Sequence, residues 1–236
     1  MISAIHNYCD SWCERCAFTG QCAVYAKTSN LSEEEKDINN PKFWEFVGNQ
    51  LTEALSMLQT KMEEMGIPPM TKEEEAECEA QHKQTEFRAN EHPLLKLSKE
   101  YASDIDGLLK YISEKEAGRK AENTERMEVI LWYQYFIQVK LHRALSGLFD
   151  NDDEEVDEYA MYDANGSAKI ALLATERSLT AWYNLYEVFP EKEDEILKSL
   201  ILLKKIIELI KSVFPNAESF IRPGFDENKS QVNNYG

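Results

Sequence analysis

The chain has 236 residues, 43% of them hydrophobic and 29% charged, with a formal net charge of −17 at pH 7. That acidity excludes an extended nucleic-acid surface, which needs clustered lysine and arginine to neutralise phosphates, and it disfavours docking on anionic membranes. With nine glycines and seven prolines the chain is poor in the turn residues of an all-β fold, and a chain of this size buries a core without needing disulfides or metal for bulk stability.

Residues 1–6 lack the basic start and apolar run of a secretory signal. No window approaches the roughly 18 uninterrupted apolar residues of a membrane span. Residues 196–210 come closest, and lysines and glutamates interrupt them. The expectation is a soluble, cytoplasmic protein whose thiols stay reduced, so that clustered cysteines suggest metal rather than disulfides.

Taken in order, the pattern permits a short helix from Ile2 to about Cys16, a turn at Thr19-Gly20 and a second helical piece over Gln21 to Lys27. Residues 28–42 form a polar connection in which Ser32 can cap one turn over Glu33 to Glu35 and Pro41 can open the next element. From Pro41 to Met65, Val47, Leu51, Ala54, Leu55, Leu58, Met62 and Met65 recur at helical steps, and Gly66 with Pro68-Pro69 ends the run. Thr71 caps a nearly all-polar helix over 72–91 that projects into solvent or is only weakly ordered. Pro93 kinks or restarts it, with Leu94, Leu97, Tyr101, Ile105, Leu108 and Ile112 as its buried stripe and Gly118 as its break.

Thr124 to Leu148 is the most apolar helix, and apolar residues on more than one face suggest the centre of a bundle. Asp150 to Glu158 reads as a solvated acidic linker. Another helix runs from Asp163 to Phe189 with Asn165-Gly166 at its start. A last one, over Glu191 to Phe214, carries Ile196, Leu200, Leu203, Ile207 and Ile210. Phe220 to Phe225 has apolar residues enough to dock back. The fold expected is all-α: an up-down helical bundle of about five long helices with a short N-terminal cysteine-rich helical module. The expected division is a metal-binding module at 1–30 packed on the bundle, the bundle at 41–225, and a disordered tail at 226–236.

The chemistry concentrates at the N-terminus. Cys9, Cys13, Cys16 and Cys22, spaced C-x3-C-x2-C-x5-C, fall within fourteen residues, and the fifth cysteine, Cys78, stands alone in a charged stretch. Four thiolates can ligate zinc or an iron–sulfur cluster. Tetrahedral zinc, with Zn–S bonds of about 2.3 Å, draws its sulfurs close together and typically takes two C-x2-C pairs on a longer loop. On a helix, Cys9, Cys13 and Cys16 at i, i+4 and i+7 share one side, which suits the larger 4Fe–4S cubane. His6 is a fifth candidate ligand beside its reading as a helix-start histidine. Tyr8 and Trp12 are candidates to shield the centre from water, or ordinary core aromatics.

The stretch CERCAFTGQCAVYA, residues 13–26, resembles the C-x2-C-x5-C segment of WhiB-like iron–sulfur proteins, down to the tyrosine-alanine pair after the last cysteine. Its spacing is similar to that of the iron–sulfur loop in endonuclease III-type DNA glycosylases. The resemblance implies a 4Fe–4S cluster and assigns Cys13, Cys16 and Cys22 as ligands. Cys9 lies four residues before Cys13, whereas the remaining cysteine of those families lies farther upstream, and Ala17 stands where proline is often found.

A di-iron carboxylate site needs two E-x-x-H motifs on facing helices, and the chain offers one at the bundle spacing, Glu79 to His82 in its most solvent-like region. Lys140, Arg143, Lys169 and Glu176 fall on apolar helix faces. They read as an interhelical salt-bridge network fixing register, or as a polar pocket for a small ligand near Tyr133 and Tyr135. No phosphate loop, G-x-S-x-G elbow or Cys/His dyad gives sequence support for metal-independent catalysis. The functional expectation is one 4Fe–4S cluster serving electron transfer or redox sensing with a protein partner. Its alternative is a four-cysteine zinc site tying the N-terminus to a helical bundle.

Overall fold

A computed structural model describes residues 1–116, 121–150 and 158–226. The break expected at Gly118, the acidic stretch at 151–157 and the tail at 227–236 lie outside the described residues. The described chain is all-α: α1 (Ala23–Thr28), α2 (Glu33–Lys36), α3 (Pro41–Met65), α4 (Lys72–Glu91), α5 (Pro93–Glu116), α6 (Ala121–Phe149), α7 (Glu158–Tyr186) and α8 (Glu193–Val213). Six of these are long, and of the two readings of Pro93 the restart holds: it opens α5 after α4 has ended at Glu91.

The chain divides into two compact units, one of residues 1–6 and 12–80, the other of 7–11 and 81–236. The first unit is built from local signals. Ser32 and Glu35 form a reciprocal capping box at the start of α2, and Asn40 caps α3 with Pro41 at its first position. Gly66 closes α3 in the left-handed region at φ 66°, where a side chain would be strained. Thr71 and Glu74 cap each other at the start of α4. Yet α3 has no buried residue anywhere along its length. The first three turns of α4 are likewise exposed, as its charge predicts.

The N-terminus departs from the helix expected over residues 2–16. It forms separate 3₁₀ turns at Ile5–Tyr8, Cys13–Arg15 and Thr19–Gln21 before α1. The physical cause is backbone: Ala4 and Ser11 sit at φ 56° and 57°, a region that interrupts any right-handed helix. The Ile2 amide donates to the Gln21 carbonyl at 2.9 Å, closing the segment on itself.

In the second unit, α5, α6, α7 and α8 form the up-down bundle, each packed on the next and α8 returning to α5. The α5 stripe is as read, with Leu94, Tyr101, Ile105, Leu108 and Ile112 buried and Leu97 half-buried. Trp182 of α7 donates its indole N–H to the Tyr101 hydroxyl at 3.0 Å, satisfying two buried polar groups inside the core.

The most enclosed helix is α7, not α6. Small residues on α7, among them Ala164, Ala168, Ala171 and Ala174, let the neighbouring helices approach closely and are fully covered. By contrast α6 leaves Leu131, Tyr135 and Val139 exposed on its outer face. α7 also begins at Glu158, so Gly166 lies inside the helix instead of at its start.

Candidate metal centre

Cys9 belongs to the segment Asn7–Ser11 of the second unit, and Cys13, Cys16 and Cys22 belong to the first. All four are reduced and half-buried, while Cys78 is exposed. Cys13 opens the second 3₁₀ turn and Cys16 closes it, its amide donating to the Cys13 carbonyl at 3.1 Å. The Phe18 amide in turn donates to Cys16 Sγ at 3.4 Å. Cys22 stands at the N-cap of α1. Trp12 stacks under the Arg15 guanidinium at 4.1 Å, within this same turn.

Segment 7–11 is strapped to α6 and α7 of its own unit. The Tyr8 hydroxyl donates to Asp163 at 3.2 Å, and Asp163 is gripped by both arms of Arg143 at 2.8 and 2.9 Å. The Tyr8 ring packs with Phe220 and Ile170, the tail residue docking back as its composition predicts. Asp10 is the second anchor: Tyr133 donates to its carboxylate at 2.8 Å and Arg177 at 2.6 Å. The Asp10 carbonyl takes the indole N–H of Trp132 at 2.9 Å. Burial, with the Asp10 charge beside it, pushes Tyr133 up to about 12, and burial with Asp163 does the same to Tyr8. Both phenols therefore stay protonated and able to donate at neutral pH.

Cys9 thus sits between two anchors, with its Sγ 4.0 Å from the Ser11 hydroxyl. Lys140 reaches the Asn7 carbonyl at 3.5 Å. Burial, reinforced by the Arg143 charge, lowers its pKa, and the Cys9 and Asp163 charges oppose that shift.

Of the four helix charges read as a network or pocket, Lys140 and Arg143 come together at this strap. Lys169 instead donates to the Glu218 carbonyl at 2.6 Å and holds the C-terminal tail. Glu176 is half-buried on α7 and forms no ion pair among the described residues. Asp10, Asp163 and Arg177, the residues that do most to fix the strap, carried no sequence signal. Each is a single charge whose partner is remote in the chain.

No group of three His, Cys, Asp or Glu side chains among the described residues converges as a metal site. Each of the four cysteines carries a free thiol, and thiolate sulfur is a soft donor. Comparison with known proteins adds no relative: no family model, no curated protein and no solved structure matches the chain. No helix among the described residues is long and apolar enough to cross a membrane.

Proposed function

We propose that the chain is a metal protein that holds one 4Fe–4S cluster through Cys9, Cys13, Cys16 and Cys22 and uses it for electron transfer or redox sensing. The observation that carries this reading is the placement of four reduced, half-buried thiols within fourteen residues, on turns instead of in a packed core. Structural cysteines of a helical core would be enclosed among apolar side chains, and these are not. Four thiolate ligands saturate the irons, which favours electron transfer or sensing over Lewis-acid catalysis. Exchange of electrons calls for a protein partner, and the reduced thiols fit a cytoplasmic setting.

The test is anaerobic purification. A brown protein absorbing near ~400 nm with iron and acid-labile sulfide supports the cluster. A colourless protein with stoichiometric zinc overturns it.

Zinc is the second reading, and one observation favours it. Cys13 and Cys16 lie on a tight C-x2-C turn whose second sulfur accepts a backbone N–H, so helical spacing no longer argues against tetrahedral coordination. In that case the site is structural and fastens the N-terminal turns.

A further inference from the structure

Helices α7 and α8 leave a trough between them on the surface of the bundle. Leu179 and Tyr183 of α7 face Leu197, Leu200 and Ile201 of α8 across it, and Thr180 and Lys204 complete the described lining. Its volume is about 430 Å³, inside the roughly 300–1,000 Å³ of small-molecule sites. Leu197 and Lys204 lie seven residues apart on one helix, so the trough runs for about 10 Å. Tyr183, Leu197 and Ile201 are exposed along it, and hydrocarbon that settles there covers apolar surface now facing water.

We propose that this trough binds a medium-length fatty-acid anion, with its chain along the α7–α8 seam and its carboxylate at Lys204. Hydrogen bonding and charge select this ligand. Both walls are helix interiors, whose backbone N–H and C=O groups are paired along each helix. The Thr180 hydroxyl already donates to the Glu176 carbonyl at 3.0 Å. A ligand body carrying amides or hydroxyls would leave them unpaired against these walls, and a hydrocarbon body leaves none. Lys204 is the one charged residue in the described lining. It forms no ion pair among the described residues, whereas Lys198 and Lys211 of the same helix are held by Asp104 at 2.6 Å and Glu218 at 3.0 Å. Glu176 and Glu208 lie one turn beyond the lining, one on each helix, and leave it unpaired. A carboxylate on the ligand is the group that completes it. The other end of the trough sets the orientation. Glu193 and Asp194, in the first turn of α8, come one turn before Leu197 and repel an anionic head there.

The test is calorimetric titration of the full-length protein with decanoate, kept below its micelle-forming range. Decyltrimethylammonium, of equal chain and opposite charge, is the control. Decanoate is expected to bind one per chain, at least roughly tenfold more weakly to Lys204→Met, and with little change to Lys204→Arg. Ile201→Glu, which sets a carboxylate within the trough, is expected to abolish binding. Ile201 and Lys204 are both exposed, so folding is retained, which circular dichroism verifies. The cation is expected not to bind. The proposal is overturned by absence of decanoate binding, by equal binding to Lys204→Met, or by equal binding of the cation. It is also overturned by light scattering that finds a wild-type dimer dispersed by Ile201→Glu, which makes a second copy the occupant.

Discussion

The ring of Tyr8 occupies the space where Gly166 would carry a side chain. A Cβ on Gly166 would lie 2.3 Å from Tyr8 Cε1 and 2.8 Å from Phe220 Cζ. In an exposed helix interior, glycine to alanine stabilises by about 1 kcal/mol. Here the sign reverses. Gly166→Ala is expected to push the Tyr8 ring off α7 and cost about 1–3 kcal/mol, the range for overpacking a tight contact. Urea denaturation measures it, and Tyr8→Ala combined with Gly166→Ala should recover part of the loss.

The Asp10 anchor predicts a modest effect. Its partners Arg177 and Tyr133 are bound at 2.6 and 2.8 Å, but the ion pair is partly open to water and screened. Asp10→Ala is expected to cost about 1–2 kcal/mol, because a mostly buried phenol then loses its acceptor. Limited proteolysis at the N-terminus should quicken.

The same anchors set an alkaline limit. Tyr133 and Tyr8 are both raised from 10.0 to about 12 in the folded chain. A raised pKa means that the stabilisation is complete below pH 10 and is lost as pH climbs through about 12. Fluorescence of Trp132, whose indole donates to the Asp10 carbonyl, is expected to report release of the strap in that window. Tyr133→Phe should leave a weaker transition carried by Tyr8.

An acid-side dependence is expected at the start of α5. The Leu94 amide donates to His92 Nδ1 at 3.2 Å, a cap that requires the neutral ring, and burial lowers the His92 pKa from 6.5. Its stabilisation is therefore full above pH 6.5 and declines as pH falls below that value through the depressed pKa. His92→Asn, which caps without titrating, should flatten the stability profile below pH 6.5. A slope unchanged in the variant would assign it to other groups.

Much of this architecture was legible because its causes are local. Ser32, Pro41, Gly66 and Thr71 act on backbone groups within a few residues, and the α5 stripe follows from period alone. The N-terminus was not legible. Ala4 and Ser11, neither of them glycine, take positive φ, which no residue type at those positions signals. Gly166 misled for a related reason. Glycine near asparagine is a turn signal, whereas here it is the residue that admits Tyr8 into a helix. The apolar surplus of α6 pointed to a central helix, but apolar count does not separate a buried face from an exposed one, and the alanines of α7 decided which helix is enclosed. At the N-terminus the helix expected to set Cys9, Cys13 and Cys16 on one side is replaced by separate turns, a difference that spacing alone does not reveal.

That division makes a prediction about metal and stability together. If Cys9, Cys13, Cys16 and Cys22 are the ligands, serine at any one of them lowers bound metal per chain, and Cys78→Ser, at an exposed position, leaves it unchanged. Chelation should then quicken proteolysis within residues 12–27, whose turns contain no buried residue to hold them. The main thermal transition should move little. It belongs to α5–α8, where Tyr101, Ile105, Ile137, Leu141, Trp182 and Leu203 are enclosed without any contribution from the cysteines. Calorimetry and metal analysis on the same samples measure both. Metal content lost alike in Cys78→Ser and the four other variants would mean that the thiols bind metal nonspecifically.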